Sequence, residues 1–305
     1  MIKSVTATNY LGESLTFELG RPDETGIYVR SIDGLGPVAA TINTTELSSS
    51  DGSVFNSARL NQRNIVMNFG LMFNPMIEDM RHKLYRFFPL KKPVRIDVIT
   101  DRRECYAIGY VETNNPDIFS KEETQQISIV CPSPWLYGID EAQQAVNMFS
   151  VTANLEFPFP HDSWEDDAIE FGIINNEPRT PIDYYGDDDV GLIMEMHFTT
   201  SINCKISILD ELKNMSMTFD VANSSFSSFS NGDTLYISTV KGDKYVRVMR
   251  VNGTQLQNGI NILSRDSDWL YLTNGNNIFS VAAENDAVEP YIQTRIRYNT
   301  LYTGV

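Results

Sequence analysis

Residues 64 to 73 read "NIVMNFGLMF" and set Ile65, Met67, Phe69, Leu71 and Phe73 on one side of an extended chain. A period of two buries one face of a β-strand and wets the other, whereas a helix would scatter the same residues around its axis. The alternation returns in "VRIDVIT" (94 to 100), through Val94, Ile96 and Val98, and again in "CYAIGYVET" (105 to 113) and "TQQISIVC" (124 to 131). Further on, "GLIMEMHFTT" (191 to 200) alternates Leu192, Met194, Met196 and Phe198 against Ile193, Glu195 and His197. "CKISILD", "MSMTFDV", "TLYISTV", "KYVRVMRV", "WLYLTNGNNIFSVAA" and "YIQTRIRYNTLY" follow, divided by the turn signals "SNGD", "KGDK", "NGTQ" and "TNGN". Short strands at this spacing predict a mainly β chain whose second part is an antiparallel sandwich or barrel.

One helix interrupts the strands of the first part. Asn74 is suited to cap it, Pro75 to occupy its first position, and Glu78 and Asp79 to sit near its positive end. Met76, Ile77, Met80, Leu84 and Phe87 recur at helical spacing, so this stripe is expected to pack on the sheet, and Pro89 to stop the helix. Between Asp33 and Asn61 the chain turns to Gly, Ser, Thr and Asn with few large apolar residues. That segment is too long and too polar for an ordinary hairpin connection; it reads either as a mobile loop or as a piece that orders against a partner.

At 305 residues the chain is long enough for two cores. In "QISIVCPSPWLYG" (126 to 138), Pro132 and Pro134 withdraw amide donors, so strand pairing should stop there, with Trp135 and Tyr137 covering the edge. The expected division is a first domain at 1–134, a connector at 135–160 and a second domain at 161–305. Charge changes at the same place. The total is −16, yet residues 59 to 103 hold ten Lys/Arg against four Asp/Glu, while 140 to 195 hold fourteen Asp/Glu against one Arg. So acidic a chain is no general binder of the nucleic-acid backbone. Arg59, Arg63, Arg81, Lys83, Arg86, Arg102 and Arg103 read instead as a polar surface or a subunit interface that meets an acidic neighbour.

Chemistry has little to start from. The three histidines, His82, His161 and His197, have no nucleophile beside them in sequence, and G-x-S-x-G, H-E-x-x-H and the phosphate-binding loop are absent. No catalytic, cofactor or metal residue is therefore assigned, and the chain reads as no enzyme. The acidic runs "SWEDDAIE" (163 to 170) and "DYYGDDDVG" (183 to 191) are ordinarily solvated loops, although oxygen-rich loops also bind calcium. Trp164 and Trp269 are the candidate sugar platforms, with Trp269 better placed by its alternation as a core or edge residue. Cys105, Cys131 and Cys204 are an odd number without metal-ligand spacing, expected reduced and buried; Cys105 and Cys131 stand where they could face each other across paired strands. No apolar run approaches the ~20 residues that span a bilayer.

The ordered set "IDGLGPVAATI", "DGSVFNSARLNQRNIVMNFG", "RHKLYRFF…VRIDVIT", "GYVETNN" and "CPSPW", with "GINILSRDSDWLYLTNGNNIFSV" and the closing "RYNTLYTGV", resembles the distal tail proteins of siphophages. The resemblance spans most of the chain and is weakest from about 140 to 170. It implies a hexameric ring at the virion tail tip, assembled in the host cytoplasm, joining the major tail tube protein to the tail-tip hub and to receptor-binding proteins. It further implies an N-terminal β-domain with one helix that builds the ring, a galectin-like C-terminal sandwich that projects outward, and a channel through which DNA passes without specific binding. No cofactor and no membrane contact are implied. In a ring the subunit interface would fall on the polar segment and the strand after it, at Gly34, Gly36, Pro37, Asp51, Gly52, Phe55, Arg59 and Arg63. The alternative is a tail-tip module that binds cell-wall carbohydrate through the second domain, although the galectin sugar signature is missing: "NNEPR" lacks its histidine.

Overall fold

The computed structural model describes residues 1–18, 26–48, 51–72, 76–118, 122–139, 145–153, 172–176, 179–253 and 255–305. It is mainly β and divides into two compact units, one of Met1–Asp140 with Leu301–Val305, the other of Glu141–Thr300. The sequence-based division kept 301–305 with the second domain. The structure returns those five residues to the first unit, because Leu301–Tyr302 finds a strand partner there.

The first unit is built on one antiparallel sheet. Its strands are β1 (Ile2–Thr8), β2 (Ser14–Glu18), β3 (Ile27–Asp33), β6 (Arg63–Leu71), β7 (Pro93–Thr100), β8 (Glu104–Asp117) and β9 (Thr124–Cys131), ordered β2-β1-β7-β8-β9-β6-β3. Between β3 and β6 lie β4 (Ala40–Glu46) and β5 (Ser53–Leu60), which pair only with each other. The period-two pattern holds: Ile65, Met67 and Phe69 are fully buried on β6, as are Ile127 and Ile129 on β9 and Val98 on β7. Each such side chain contributes roughly 1.5–3 kcal/mol on leaving water, which outweighs the polar neighbours that stay outside.

Helix α1 (Ile77–Phe87) covers this face through Leu84 and Phe87, with Ile77 and Met80 packed alongside. Met76 occupies its N-cap position without a side-chain cap and is exposed, so it leaves the expected stripe; Asn74, Pro75 and Phe73 lie outside the described residues. The last carbonyls of α1 are satisfied from the sheet: Asn114 Nδ2 donates to Phe88 O at 3.1 Å and Leu84 O at 3.4 Å, and Gln125 Nε2 donates to Asn114 Oδ1. Strand β8 accordingly runs on to Asp117 through "NNP". Nor does pairing end at the prolines. The chain bends over residues 132–135 and resumes as β10 (Leu136–Gly138), which pairs with β8 on one side and with Leu301–Tyr302 on the other. Tyr137 meets the Tyr106 ring at 5.6 Å, and Trp135 is half-buried.

The second unit holds a six-stranded sheet, ordered Ala145–Asn147, Ile292–Arg297, Ile193–Phe198, Thr234–Ser238, Tyr245–Met249 and Gln257–Asn258. A four-stranded sheet is ordered Thr180–Tyr184, Gly275–Ala283, Lys205–Asp210 and Met215–Asp220. Each sheet buries one face, through Met194, Met196, Phe198 and Ile237 in the first and Ile206, Ile208, Phe219 and Phe279 in the second. That is the two-layer packing that the strand spacing predicted. Two buried acids are spent on the turns that join these strands. Asp233 accepts from the amides of Ser230 and Val251 and from Arg250; burial opposes its charge, but these donors hold the carboxyl below its ordinary range. Asp210 is tied to Lys213 at 2.6 Å, and Lys213 also donates to Asn277 Oδ1 at 2.8 Å.

Candidate subunit interface

The segment that the sequence left open, as a mobile loop or a piece ordering against a partner, contains a two-stranded arm. β4 and β5 are antiparallel, and every residue of β5 is exposed. The register runs Ala40↔Leu60, Ile42↔Ala58 and Asn43↔Ser57, then shifts so that Thr44 faces Phe55. The extra residue, Asn56, makes a bulge, and the bulge has a consequence for sidedness. Without it Phe55 would alternate to the opposite face from Ala58 and Leu60; with it Ala40, Leu60, Ile42, Ala58 and Phe55 share one face. The other face is knitted by polar pairs, Thr41 Oγ1 to Asn61 Oδ1 at 2.6 Å, Asn43 Nδ2 to Ser57 Oγ at 2.9 Å and Asn56 Nδ2 to Thr45 Oγ1 at 2.6 Å. Ile42 and Phe55 are 62% and 63% exposed, an unusual placement for large apolar residues on a structured strand. Thr- and Asn-rich composition hid the hairpin, because its strands have no buried face to generate an apolar rhythm.

The predicted interface residues divide into three places. Asp51, Gly52, Phe55 and Arg59 lie on the arm's outer half and second strand, with Gly52 in the turn at φ 92°. Gly34, Gly36 and Pro37 form its root. Gly34 has φ 88°, and a Cβ there would stand 1.9 Å from Asn64 O, so only glycine lets the chain leave β3 at this angle. Arg63 is neither on the arm nor on the surface. It is fully buried, and its five N–H groups are all used on backbone carbonyls. Nε donates to Pro134 O at 3.1 Å; Nη1 donates to Gly34 O and, at 2.8 Å, to Gly36 O; Nη2 donates to Pro134 O and Thr303 O, each at 2.8 Å. Burial lowers its pKa, since no carboxylate stands in for lost water. The expectation of an interface arginine at 63 is thus corrected: this guanidinium is an internal tie between the arm's root, the bend at Pro134 and the returning residues 301–305. Sequence reasoning had no signal for this, because carbonyl acceptors carry no residue identity.

The basic stretch between 59 and 103 does not form one patch. Arg81 pairs with Glu123 at 3.3 Å, Arg95 with Asp97 at 2.7 Å, and Arg103 reaches Gly304 O at 2.8 Å while its guanidinium lies 4.5 Å from the Tyr302 ring centroid. Lys83 and Arg86 are exposed on α1 beside a groove of about 680 Å³ with Glu13, Asp79 and His82 on its rim. His197 accepts from or donates to Thr234 Oγ1 at 3.0 Å, and Trp269 is half-buried with Lys244 Nζ 4.8 Å from its ring centroid. His161, Trp164 and the "SWEDDAIE" run lie outside the described residues. Among the described residues no three His, Cys, Asp or Glu side chains gather closely enough to hold a metal ion.

Cys105 and Cys131 are free and do not face each other: Cys105 pairs in register with Val98 and Gly138, and Cys131 with Arg63. Burial pushes both thiols up to about 11 from 9.0. The unfolded thiols ionise first as pH rises, so their contribution to stability is complete below pH 9.0 and is lost towards about 11. Maleimide labelling at pH 8 should therefore modify half-buried Cys204 and leave Cys105 and Cys131 unmodified until the first unit unfolds. Prompt labelling of three thiols would contradict the burial.

No protein-family model and no curated protein matches the sequence. Solved structures do. The SPP1 Dit protein, described as a paradigm of the hub adsorption apparatus in phages infecting Gram-positive bacteria, matches with a TM-score of 0.62 at 12% identity, over 97% of this chain and 98% of that one. Chains of the phage P2 baseplate in its activated conformation, one with Ca and one with Sr, match along their full length at 10% and 11% identity, each with a TM-score of 0.46. No helix is long and apolar enough to cross a membrane among the described residues. Over nearly all of its length the chain shares the fold of the SPP1 Dit protein, a mainly β phage-hub fold, and among the described residues its alternating strands, the helix α1 and the two sheets of the second unit build it.

Proposed function

We propose that the chain is a structural protein of a siphophage-type tail, a distal tail protein whose copies close into a ring joining the tail tube to the tail-tip hub and to receptor-binding proteins, with no turnover of its own. The observation that carries this reading is the arm. A two-stranded ribbon is marginal alone in water, and this one carries the exposed apolar side chains Ile42, Phe55 and Leu60 on one face. A second copy of the chain supplies the missing cover, and a head-to-tail contact of this kind closes into a ring. The fold shared with a hub protein over nearly the whole chain supports the same reading. Light scattering of the purified chain across concentration tests it. A concentration-dependent approach to six copies is expected; a monomer at every concentration, even with tail tubes added, would overturn it.

A second reading, carbohydrate binding at the tail tip, draws on the outer face of the six-stranded sheet. There Arg295, Glu195, Tyr236, Arg247 and Asn258 stand in one cross-strand row, with Arg247 4.2 Å from the Tyr245 ring centroid. Hydrogen-bonding groups held rigidly beside an aromatic ring suit a saccharide. Titration of the chain with host-wall polysaccharide, read against Arg247→Ala, decides it: no binding by either protein leaves the scaffold reading alone.

A further inference from the structure

We propose that residues 301–305 are the positioning element of the β4–β5 arm, so that a second copy of this chain docks on the arm only while this segment is seated. The inference rests on the ring reading above and adds to it the residues that aim the interface.

The segment is far from the arm in sequence, yet its contacts converge on the arm's root. Leu301 and Tyr302 pair with Tyr137 and Leu136 of β10, and Leu301 is buried. From that anchorage the next three residues lie along the root. Thr303 O accepts from Arg63 Nη2, Gly304 O from Arg103 Nη1, and the Val305 amide donates to Leu35 O at 3.1 Å. Gly304 packs so closely on the root that a Cβ there would lie 3.1 Å from both Gly36 Cα and Leu35 O. Arg63 closes the circuit, since the guanidinium that holds Thr303 also holds Gly34 and Gly36.

A root held this way matters because, among the described residues, the arm's strands pair with no third strand. The direction in which the arm leaves the sheet is thus set at residues 34–39 and 61–62. Seven paired residues make the arm roughly 23 Å long, so a turn of about 10° at the root carries its tip about 4 Å. That approaches the ~4.8 Å between neighbouring strands, enough to take an apolar face out of register with its partner. A segment that fixes the root therefore governs docking without touching the docking face.

Arg103→Ala tests this in the full chain. It removes the donor to Gly304 O and the cation over Tyr302 from a half-buried site, and leaves the sheet core intact. Two readings are taken. Hydrogen exchange at the amides of Leu35, Gly36, Val38, Ala39, Asn61 and Gln62 should quicken while those of β6 and β9 hold, and association, followed by light scattering, should weaken about tenfold. A chain ending at Thr300 should show both effects more strongly. Exchange reports the seating whether or not the copies associate, so a chain that never associates sinks the ring, whereas unchanged root exchange sinks the positioning role. Quickened exchange with undiminished association in Arg103→Ala also overturns the proposal, because the arm would then be aimed by something else.

Discussion

Replacing residues 40–60 with Asn-Gly leaves the first unit as stable as before and abolishes self-association. The graft is stereochemically simple. Ala39 O already accepts from the Asn61 amide at 3.0 Å, which is the closing bond of a two-residue hairpin turn, and Asn-Gly is the pair that such a turn prefers. Nothing buried is lost, since all of β5 and nearly all of β4 is exposed. The thermal midpoint should therefore stay within about 2 °C, in keeping with surface changes that remove no core contact. If copies pack on the arm as proposed, Ile42, Phe55 and Leu60 are its apolar anchors, and association should fall by about 100-fold or more, the loss of two or three well-packed anchors. A milder pair, Ile42→Ser with Phe55→Ser, should move association in the same direction. Loss of several kcal/mol of stability on removing the arm would show that it belongs to the unit's own core; unchanged association would place the interface elsewhere.

Arg63→Met should destabilise the first unit by about 3–5 kcal/mol, the range for breaking a buried charged network. The reason is asymmetry. A methionine fills similar volume, but it strands the carbonyls of Gly34, Gly36, Pro134 and Thr303 away from water, and each unsatisfied acceptor costs about 1–3 kcal/mol. Arg63→Lys keeps the charge but offers three donors on a point rather than five on a planar fork, so it cannot hold four carbonyls at once and should recover only part of the loss. In a unit of this size the full loss lowers the unfolding midpoint by about 10–15 °C. Thiol accessibility of Cys105 and Cys131 follows it, because both belong to this unit's core. A midpoint that moves by less than about 3 °C would mean that water or a rearranged root satisfies the carbonyls.

Much of the fold was legible because alternation is a local consequence of burial. Val94, Ile96 and Val98, and later Met194, Met196 and Phe198, point inward where period two puts them. The helix was legible from Leu84 and Phe87 at helical spacing; at its start Met76 stands at the N-cap position without a side-chain cap, while Asn74 and Pro75 lie outside the described residues. The β4–β5 arm was legible only as a change in composition. Asp51, Gly52, Phe55 and Arg59 fall on the arm, but the segment was read as a mobile loop or a piece ordering against a partner rather than as two paired strands, and Arg63 was assigned to a surface from which it is fully buried. Whether Cys105 and Cys131 face each other was left open for a related reason: alternation gives the face of a strand and not its register, and in the structure both thiols are free with other cross-strand partners.

Polarity along the chain already separates the residues that enter water from those that leave it, and with that come antiparallel strands, a helix that covers the first sheet and a second sandwich. Folding in three dimensions was needed to place residues 301–305 in the first unit, to gather Ile42 and Phe55 on one face through the bulge at Asn56, and to set Arg63 against four carbonyls. The physical reason is the same in each case. Side-chain polarity is written residue by residue, whereas a backbone carbonyl, a strand register or the return of a distant segment has no residue type of its own and exists only once the chain has closed on itself.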